Sequence, residues 1–361
     1  MKAIGYTESL PITDSNALKD IELSQPVVGG RDLLVRISAI AVNPVDCKVR
    51  QRASPEPGEF KVLGWDAVGE VVETGDEVTR FHAGDQVYYA GDVTRQGCNA
   101  EYQLVDERLV GHKPASLTDA DAAALPLTTI TAWEMLFDHL GLERQVPGEV
   151  NATDEVILVI GAAGGVGSIL IQLAKTLTGA TVIATASRDE SKRWVESLGA
   201  DHVVNHRQPL KPQIDELLKD GKTNIVTHIA SLNATDQYFD DYVEILAPFG
   251  KIAMIDDPQA LDVMKLKPKS LSLHLEFMFA RSMHNASDMD AQHQLLESVA
   301  TLVDQGHIKT TAGKNLGKIN AANLKLAHSE LESATAIGKI VLQGFDDPRA
   351  GSRFSHTFKS T

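Results

Sequence analysis

The stretch VILVIGAAGGVGSILIQLAK, residues 156–175, constrains the fold of this chain more than any other. Val156–Ile160 is a continuous aliphatic run, as in a parallel strand buried on both faces. Val166, Ile169, Leu170, Leu173, Ala174 and Leu177 then recur at helical spacing along one face. Between these patterns lie Gly161, Gly164, Gly165 and Gly167. A tight turn from buried strand into helix aims free backbone N–H groups and the helix's positive end at one point, which suits a phosphate. The Gly-x-x-Gly-x-x-Gly spacing is a variant of the dinucleotide fingerprint, with Ala162 where the usual pattern starts. A plainer reading is open: positive φ at Gly161 and Gly164, and close helix–strand packing at Gly167. The strand before and the helix after supply the context that favours a cofactor turn at Gly161, Gly164, Gly165, Val166 and Gly167.

At 361 residues the chain is long enough for two domains of about 150 residues each. Its hydrophobic content of 43% and charged content of 23% are those of a soluble globular protein. A formal net charge of −15 argues against nucleic acid and anionic membranes as partners. The N-terminus MKAIGYTESLP has no apolar core, and no run reaches the ~18 apolar residues of a membrane span. A cytoplasmic location is therefore expected. Cys47 and Cys98 are the only cysteines. They can pair, but a reduced state is the simpler reading, and a four-cysteine zinc lobe is impossible.

The first ~125 residues read as β-rich, with strands expected at 32–42, 67–72, 87–89 and 101–105 and turn signals at 73–76 and 83–85. After Pro126 helix and strand alternate, which implies βαβ units and a parallel sheet. Helices are expected at 129–139, after the glycine turn, and at 189–198, 214–219 and 238–246. Strands are expected at 156–160, 181–186, 202–204, 225–229 and 251–255. Residues 144–154 read as a polar loop, 271–279 as a further apolar strand and 291–304 as a helix. From residue 346 periodicity is lost and a frayed tail is expected.

The second strand of the alternating region ends in Ser187 and Arg188, where an NAD-type site carries an acidic residue for the ribose hydroxyls. Asp189 and Glu190 follow, and Ser187-x-x-Glu190 fits a capping box for the next helix. A hydroxyl and a guanidinium at the strand end, with Lys192 one turn on, suit a 2′-phosphate, so NADP is the expected cofactor. The alternative is that Arg188 and Lys192 are solvated surface charges.

The motifs Asn43-Pro44-Val45-Asp46, Gly64-Trp65-Asp66-Ala67-Val68-Gly69, Gly84-Asp85-Gln86-Val87, Ala100-Glu101-Tyr102, PLTTITAW (126–133), the glycine turn and Gly338-Lys339-Ile340-Val341-Leu342 now stand together. The chain resembles the medium-chain dehydrogenase/reductase superfamily over nearly its whole length to Phe345. The similarity is greatest to the quinone oxidoreductase branch, whose members are often labelled zinc-type alcohol dehydrogenase-like. The resemblance implies an α/β protein with a β-rich GroES-like catalytic domain from residues 1–127 and 280–345. A Rossmann-type doubly wound parallel sheet, residues 128–279, is inserted between them, and 346–361 is the tail. The cofactor then lies in the cleft between the domains.

Zinc-dependent members of that superfamily place their catalytic ligands at positions that align with Asn43, Trp65 and Leu127. None of these side chains is a Cys, His or carboxylate, so no metal is expected. Without a Lewis acid, alcohol oxidation is disfavoured. Reduction of a quinone or an α,β-unsaturated carbonyl remains accessible, because the charge spreads onto a distant oxygen. The resemblance implies Asn43 and Asp46 near nicotinamide and substrate, Thr131 near the nicotinamide, and Lys339 reaching the cofactor. Asn43 also reads as a turn residue before Pro44, Asp46 as a helix cap, and Trp65 as either core or substrate wall. Two other functions stay open: an NADPH-binding structural or redox-sensing protein with little turnover, and a zinc alcohol dehydrogenase with atypical ligands. The apolar strand at 271–279 reads as a sheet edge, which the same strand of a second subunit covers in a homodimer or the helix 291–304 covers within one chain.

Overall fold

The computed structural model describes residues 1–219 and 225–346. The frayed tail read from the sequence lies outside the described residues from position 347 onward. Six parallel strands form one sheet in the order His202–Val204, Thr181–Thr185, Val156–Ile160, Val226–Ser231, Leu246–Met254 and Ser272–Leu275. Numbered along the chain, this is the doubly wound order 3-2-1-4-5-6. Val156–Ile160 has a neighbour on each side and buries all its residues, which is why it lacks polar alternation. The helix Gly165–Leu177 lays Ile169, Leu170, Leu173, Ala174 and Leu177 into the core. Strand order reverses at Val156–Ile160, so the crevice beyond its carboxyl end, at Gly161, is where such a sheet takes its ligand.

The second large sheet runs Ala312–Asn315, Lys339–Gln343, Asp32–Val42, Ala67–Thr74, Gln86–Tyr89 and Val110–His112, with Tyr102–Asp106 also on Asp32–Val42. Lys339–Gln343 pairs antiparallel with the end of Asp32–Val42, Ile340 opposite Val42 and Gln343 opposite Ala39. Strands nearly three hundred residues apart in sequence are thereby stitched into one sheet. A small antiparallel sheet of Lys19–Glu22, Lys2–Tyr6 and Lys61–Val62 closes the outer side.

Several elements differ from the sequence reading. The helix expected at 129–139 begins at Pro126, whose missing N–H costs nothing at the first helical position. It is α-helical to Trp133 and π-helical over Glu134–His139. The strand expected at 271–279 is only Ser272–Leu275. Beyond it the Glu276 N–H still donates to the Met254 carbonyl at 2.9 Å while its carboxylate bonds His139 Nε2 at 2.8 Å, and Met278 and Phe279 are buried in the core. The helix Asp290–Asp304 does not cover that strand. It packs on Val110–His112, where Tyr88 Oη donates to the Leu296 carbonyl at 2.6 Å and the His112 N–H donates to Glu297 at 2.7 Å. Among the described residues the outer side of Ser272–Leu275 is unpaired, with Leu275 70% and Phe277 50% exposed.

Glu134 on the π-helical turn and Glu276 after the edge strand are both buried, and their carboxyls lie near each other. Arg281 bonds Glu134 and Asp138. Burial, with Glu276 alongside, pushes the Glu134 carboxyl up to about 9, and burial pushes Glu276 up to about 8. Both groups hold a proton more tightly in the folded chain than in the unfolded one. Their stabilisation is complete below the ordinary glutamate value of about 4.3 and is lost as pH rises through about 8 to 9. Thermal unfolding midpoints should fall between about pH 5 and pH 9, and Glu134→Gln should flatten that fall. An unchanged pH profile in the variant would show that the pair does not carry it.

Candidate active site

Four chain segments converge beneath the glycine turn. Asp32–Val42 ends at Asn43, and Pro44 at the first helical position starts the helix Pro44–Arg52. Asp46, in its first turn, bends its carboxylate back to accept the Asn43 N–H at 2.6 Å. The helix-start reading of Asp46 is therefore realised in the structure, and its other oxygen, Oδ1, has no partner. Burial pushes this carboxyl up to about 7.

Asp66, which precedes the strand Ala67–Thr74, is the node of the site. Its Oδ1 accepts the Leu127 N–H at 2.7 Å, from the first turn of Pro126–Trp133. Its Oδ2 accepts from Asn43 Nδ2 at 2.8 Å and from Lys339 Nζ at 2.8 Å. Lys339 Nζ also donates to Asn43 Oδ1 and to the Val42 carbonyl at 3.2 Å. Asp66, Asn43 and Lys339 are 0%, 1% and 3% exposed. Burial pushes the Asp66 carboxyl up, and Lys339 and the Leu127 N–H pull against it. The sequence reading missed Asp66 as a site residue, although a lone acid inside the apolar run Leu63-Gly64-Trp65-Asp66-Ala67-Val68 was the available signal. Thr131 is buried one turn beyond Leu127 on the same helix.

The dinucleotide turn presses directly on this cluster. Gly161 has φ +76°, and a Cβ there would lie 2.8 Å from Asn233 Oδ1. A Cβ on Gly165 would meet Lys339 Cδ at 2.7 Å and Thr128 Cγ2 at 3.1 Å. Gly338 donates its N–H to the Ala163 carbonyl at 2.9 Å, tying the turn to the strand that carries Lys339. Gly165, Val166 and Gly167 form the first turn of their helix, so their N–H groups have no carbonyl within it. The residues present fit a dinucleotide phosphate.

Lys339 differs from its expected role. Its ammonium spends its three donors on Val42, Asn43 and Asp66, and only its stem faces the turn. For Trp65 the core alternative holds: it is wholly buried, its indole N–H donates to the Asp92 carbonyl at 3.1 Å, and its ring meets Phe279 edge-on. It is core rather than a substrate wall.

At the far end of the crevice, Ser187 is half-buried and Arg188 is the N-cap of Asp189–Ser197. The expected Ser187–Glu190 box does not form. Ala186 still pairs with Val204, so the helix starts one residue later and Ser191 Oγ accepts the Arg188 N–H at 3.2 Å. The Arg188 side chain donates to the Thr335 carbonyl at 2.9 Å, and Lys192 is half-buried one turn on. Parallel pairing of Thr185 with Val204 brings His206 and Arg207, which the sequence reading overlooked, to the same edge. Burial, Arg207 and Arg188 together hold the His206 ring below its ordinary value. A basic pair just after the neighbouring strand was the missed signal.

Residues 29–115 match the family described as Alcohol dehydrogenase GroES-like domain, and residues 165–297 match Zinc-binding dehydrogenase. A zinc-type alcohol dehydrogenase-like protein of Staphylococcus aureus is 39% identical over 346 residues, covering 95% of this chain and 99% of that protein. A crystal structure from Rhizobium etli, described as a zinc-dependent alcohol dehydrogenase protein, shares 48% identity at a TM-score of 0.90, covering 96% of this chain and 99% of its own. The quinone oxidoreductase of Pseudomonas syringae shares 25% identity at a TM-score of 0.78, covering 95% and 99%. The chain belongs to the medium-chain dehydrogenase/reductase superfamily. It is one of the zinc-type alcohol dehydrogenase-like oxidoreductases of that family.

The residues of this dehydrogenase do not fit the metal that the family name implies. Asn43, Trp65 and Leu127 offer an amide, an indole and an isobutyl group, and the first is already bonded to Asp66 and Lys339. Among the described residues one other group, Cys47, His328 and Glu332, brings potential ligand atoms within 4.8 Å of one another. The buried Arg50 guanidinium donates to His328 Nδ1 at 3.3 Å and to Glu332, so that group already holds a cation. Burial also pushes the Cys47 thiol up, away from the thiolate a metal needs. No helix among the described residues is long and apolar enough to cross a membrane.

Proposed function

We propose that this protein is an NADPH-dependent, zinc-independent oxidoreductase that reduces quinones or α,β-unsaturated carbonyls. The observation that carries this reading is the Asp66–Lys339–Asn43 cluster, a buried ion pair bonded to positions 43 and 127, where zinc-dependent relatives hold metal. The bound nicotinamide supplies the hydride. The N–H groups of Gly165, Val166 and Gly167 hold the pyrophosphate at the helix N-terminus. Ser187, Arg188 and Lys192, with His206 and Arg207 beside them, receive the 2′-phosphate. Asn43 and Thr131 line the nicotinamide side, and Asp46 holds the Asn43 backbone in register. The buried aliphatic and aromatic packing around them excludes water, so charge developing on a conjugated acceptor meets fixed dipoles. The free, buried state of Cys47 and Cys98 supports a reducing, cytoplasmic setting.

The unit of function in this reading is a homodimer. The unpaired edge Ser272–Leu275, with Leu275 and Phe277 exposed beside it, suits the same strand of a second copy, which would continue the sheet across a two-fold axis. The helix that offered an intramolecular cover lies elsewhere.

Three outcomes test the proposal. Purified protein should oxidise NADPH with quinones, enals or enones, carry no stoichiometric zinc and keep its activity in chelator. One essential zinc per chain, or no acceptor in the whole set, overturns it. NADPH should bind more tightly than NADH, and Arg188→Ala should narrow the gap about ten- to a hundredfold, since a charged hydrogen bond contributes ~1.5–3 kcal/mol. Equal affinity for the two cofactors in the unmutated protein would remove the 2′-phosphate assignment. Light scattering at micromolar concentration should give a dimer that Leu273→Pro weakens by deleting a ladder donor. A stable monomer would refute the edge pairing.

A further inference from the structure

In zinc-dependent relatives, as the resemblance implies, a single cation joins the three chain positions that align with Asn43, Trp65 and Leu127. Here the corresponding positions are joined by a carboxylate. Asp66 takes the Asn43 side chain on one oxygen and the Leu127 N–H on the other, and it directly follows Trp65 in the chain. The Leu127 N–H belongs to a helix's first turn, so a positive helix end also faces the carboxylate.

The same oxygen that receives Asn43 receives Lys339. Lys339 and Asp66 fix the orientation of the Asn43 amide, with the ammonium on Oδ1 and the carboxylate on Nδ2. Turned over, the amide would set its oxygen against a carboxylate and its NH₂ against an ammonium. The next residue back, Gly338, donates its N–H to Ala163 inside the dinucleotide turn, and the Lys339 stem fills the space a Gly165 side chain would need. One carboxylate therefore bonds Asn43 and Leu127 directly and reaches the cofactor turn through Lys339.

We infer that Asp66 is the positioning residue of this active site: with Lys339 as its counter-ion, it fixes the segments carrying Asn43 and Leu127 relative to the dinucleotide turn, joining two of the positions that zinc joins in zinc-dependent relatives. The inference rests on the proposed hydride-transfer reading. Asp66 acts through Asn43, Leu127 and Lys339, and no donor of the Lys339 ammonium is left to bind a ligand. Misplacement of reacting atoms by about 1 Å costs about a hundredfold in rate, so the effect belongs in the hydride-transfer step rather than in cofactor affinity.

The test compares the unmutated protein with Asp66→Asn and with the neutral pair Asp66→Asn/Lys339→Met. The measurements are NADPH affinity by fluorescence, kcat and KM with the best acceptor, the primary isotope effect with C4-deuterated NADPH, and thermal unfolding. In Asp66→Asn, kcat should fall about ten- to a hundredfold, with KM and NADPH affinity changing by less than about threefold, and the isotope effect should rise as hydride transfer becomes limiting. The neutral pair removes both buried charges together and should recover most of the unfolding midpoint while staying slow. If Asp66→Asn does not fold, the neutral pair decides. A neutral pair with unmutated kcat, or a slow Asp66→Asn with an unmutated isotope effect, overturns the inference by leaving the cluster only a structural role. An unmutated protein that turns over alongside an unimpaired Asp66→Asn ends the inference alone. An unmutated protein that uses no quinone or enone ends the hydride-transfer reading and the inference with it.

Discussion

A carboxylate sealed completely from water is tolerated only when its charge and its lone pairs are answered by the protein. Asp66 imposes that demand on this fold, and the answers come from three places far apart in sequence. The end of one strand supplies Asn43, the start of a helix supplies the Leu127 N–H, and the last strand supplies Lys339. Lys339 reaches Asp66 because its strand, Lys339–Gln343, returns to pair with Asp32–Val42. The discontinuous sheet and the buried ion pair are thus two aspects of one arrangement. Removing either partner would strand a charge in the core, whereas removing both would not.

The two helices at the site begin alike. Pro44 and Pro126 each occupy a first helical position, where proline removes an N–H that has no helical partner anyway. The consequences differ. In the first helix, Asp46 turns back on its own N-cap. In the second, the N-cap is Leu125, which has no polar side chain, and Asp66 from another strand takes the exposed Leu127 N–H instead. A helix end left uncapped locally is what lets a distant residue cap it, and that couples the helix to the catalytic sheet.

Much of the parallel-sheet region was legible because its signals are local. Val156–Ile160 matches its aliphatic run residue for residue, and the glycine turn lies where strand gives way to helix. The fold class followed from that alternation and from the family motifs. What the sequence hid was set by distant contacts. An apolar run at 271–279 reads as one strand, but after Glu276, whose N–H makes a last ladder bond while its carboxylate goes to His139, more than a hundred residues away, Met278 and Phe279 turn into the core. Lys339 was legible as a site residue but not in its role, since nothing local shows an ammonium using all its donors on one buried cluster. His206 and Arg207 needed the strand register before they could be set beside Arg188.

The character of the cluster also bears on the proposed chemistry. A catalytic zinc keeps one position open and binds the reacting oxygen itself, so it stabilises charge where the charge forms. The ammonium here has no open position, and its nearest negative charge is Asp66, not an incoming ligand. Its field is therefore largely neutralised at the source. A site built this way gives little help to an alkoxide, whose charge sits on one atom. It suits an acceptor that disperses its own charge through conjugation and asks the protein mainly for alignment. The same property that makes the ion pair a poor Lewis acid makes it a rigid joint, because all three ammonium donors and both carboxylate oxygens are bonded to the chain.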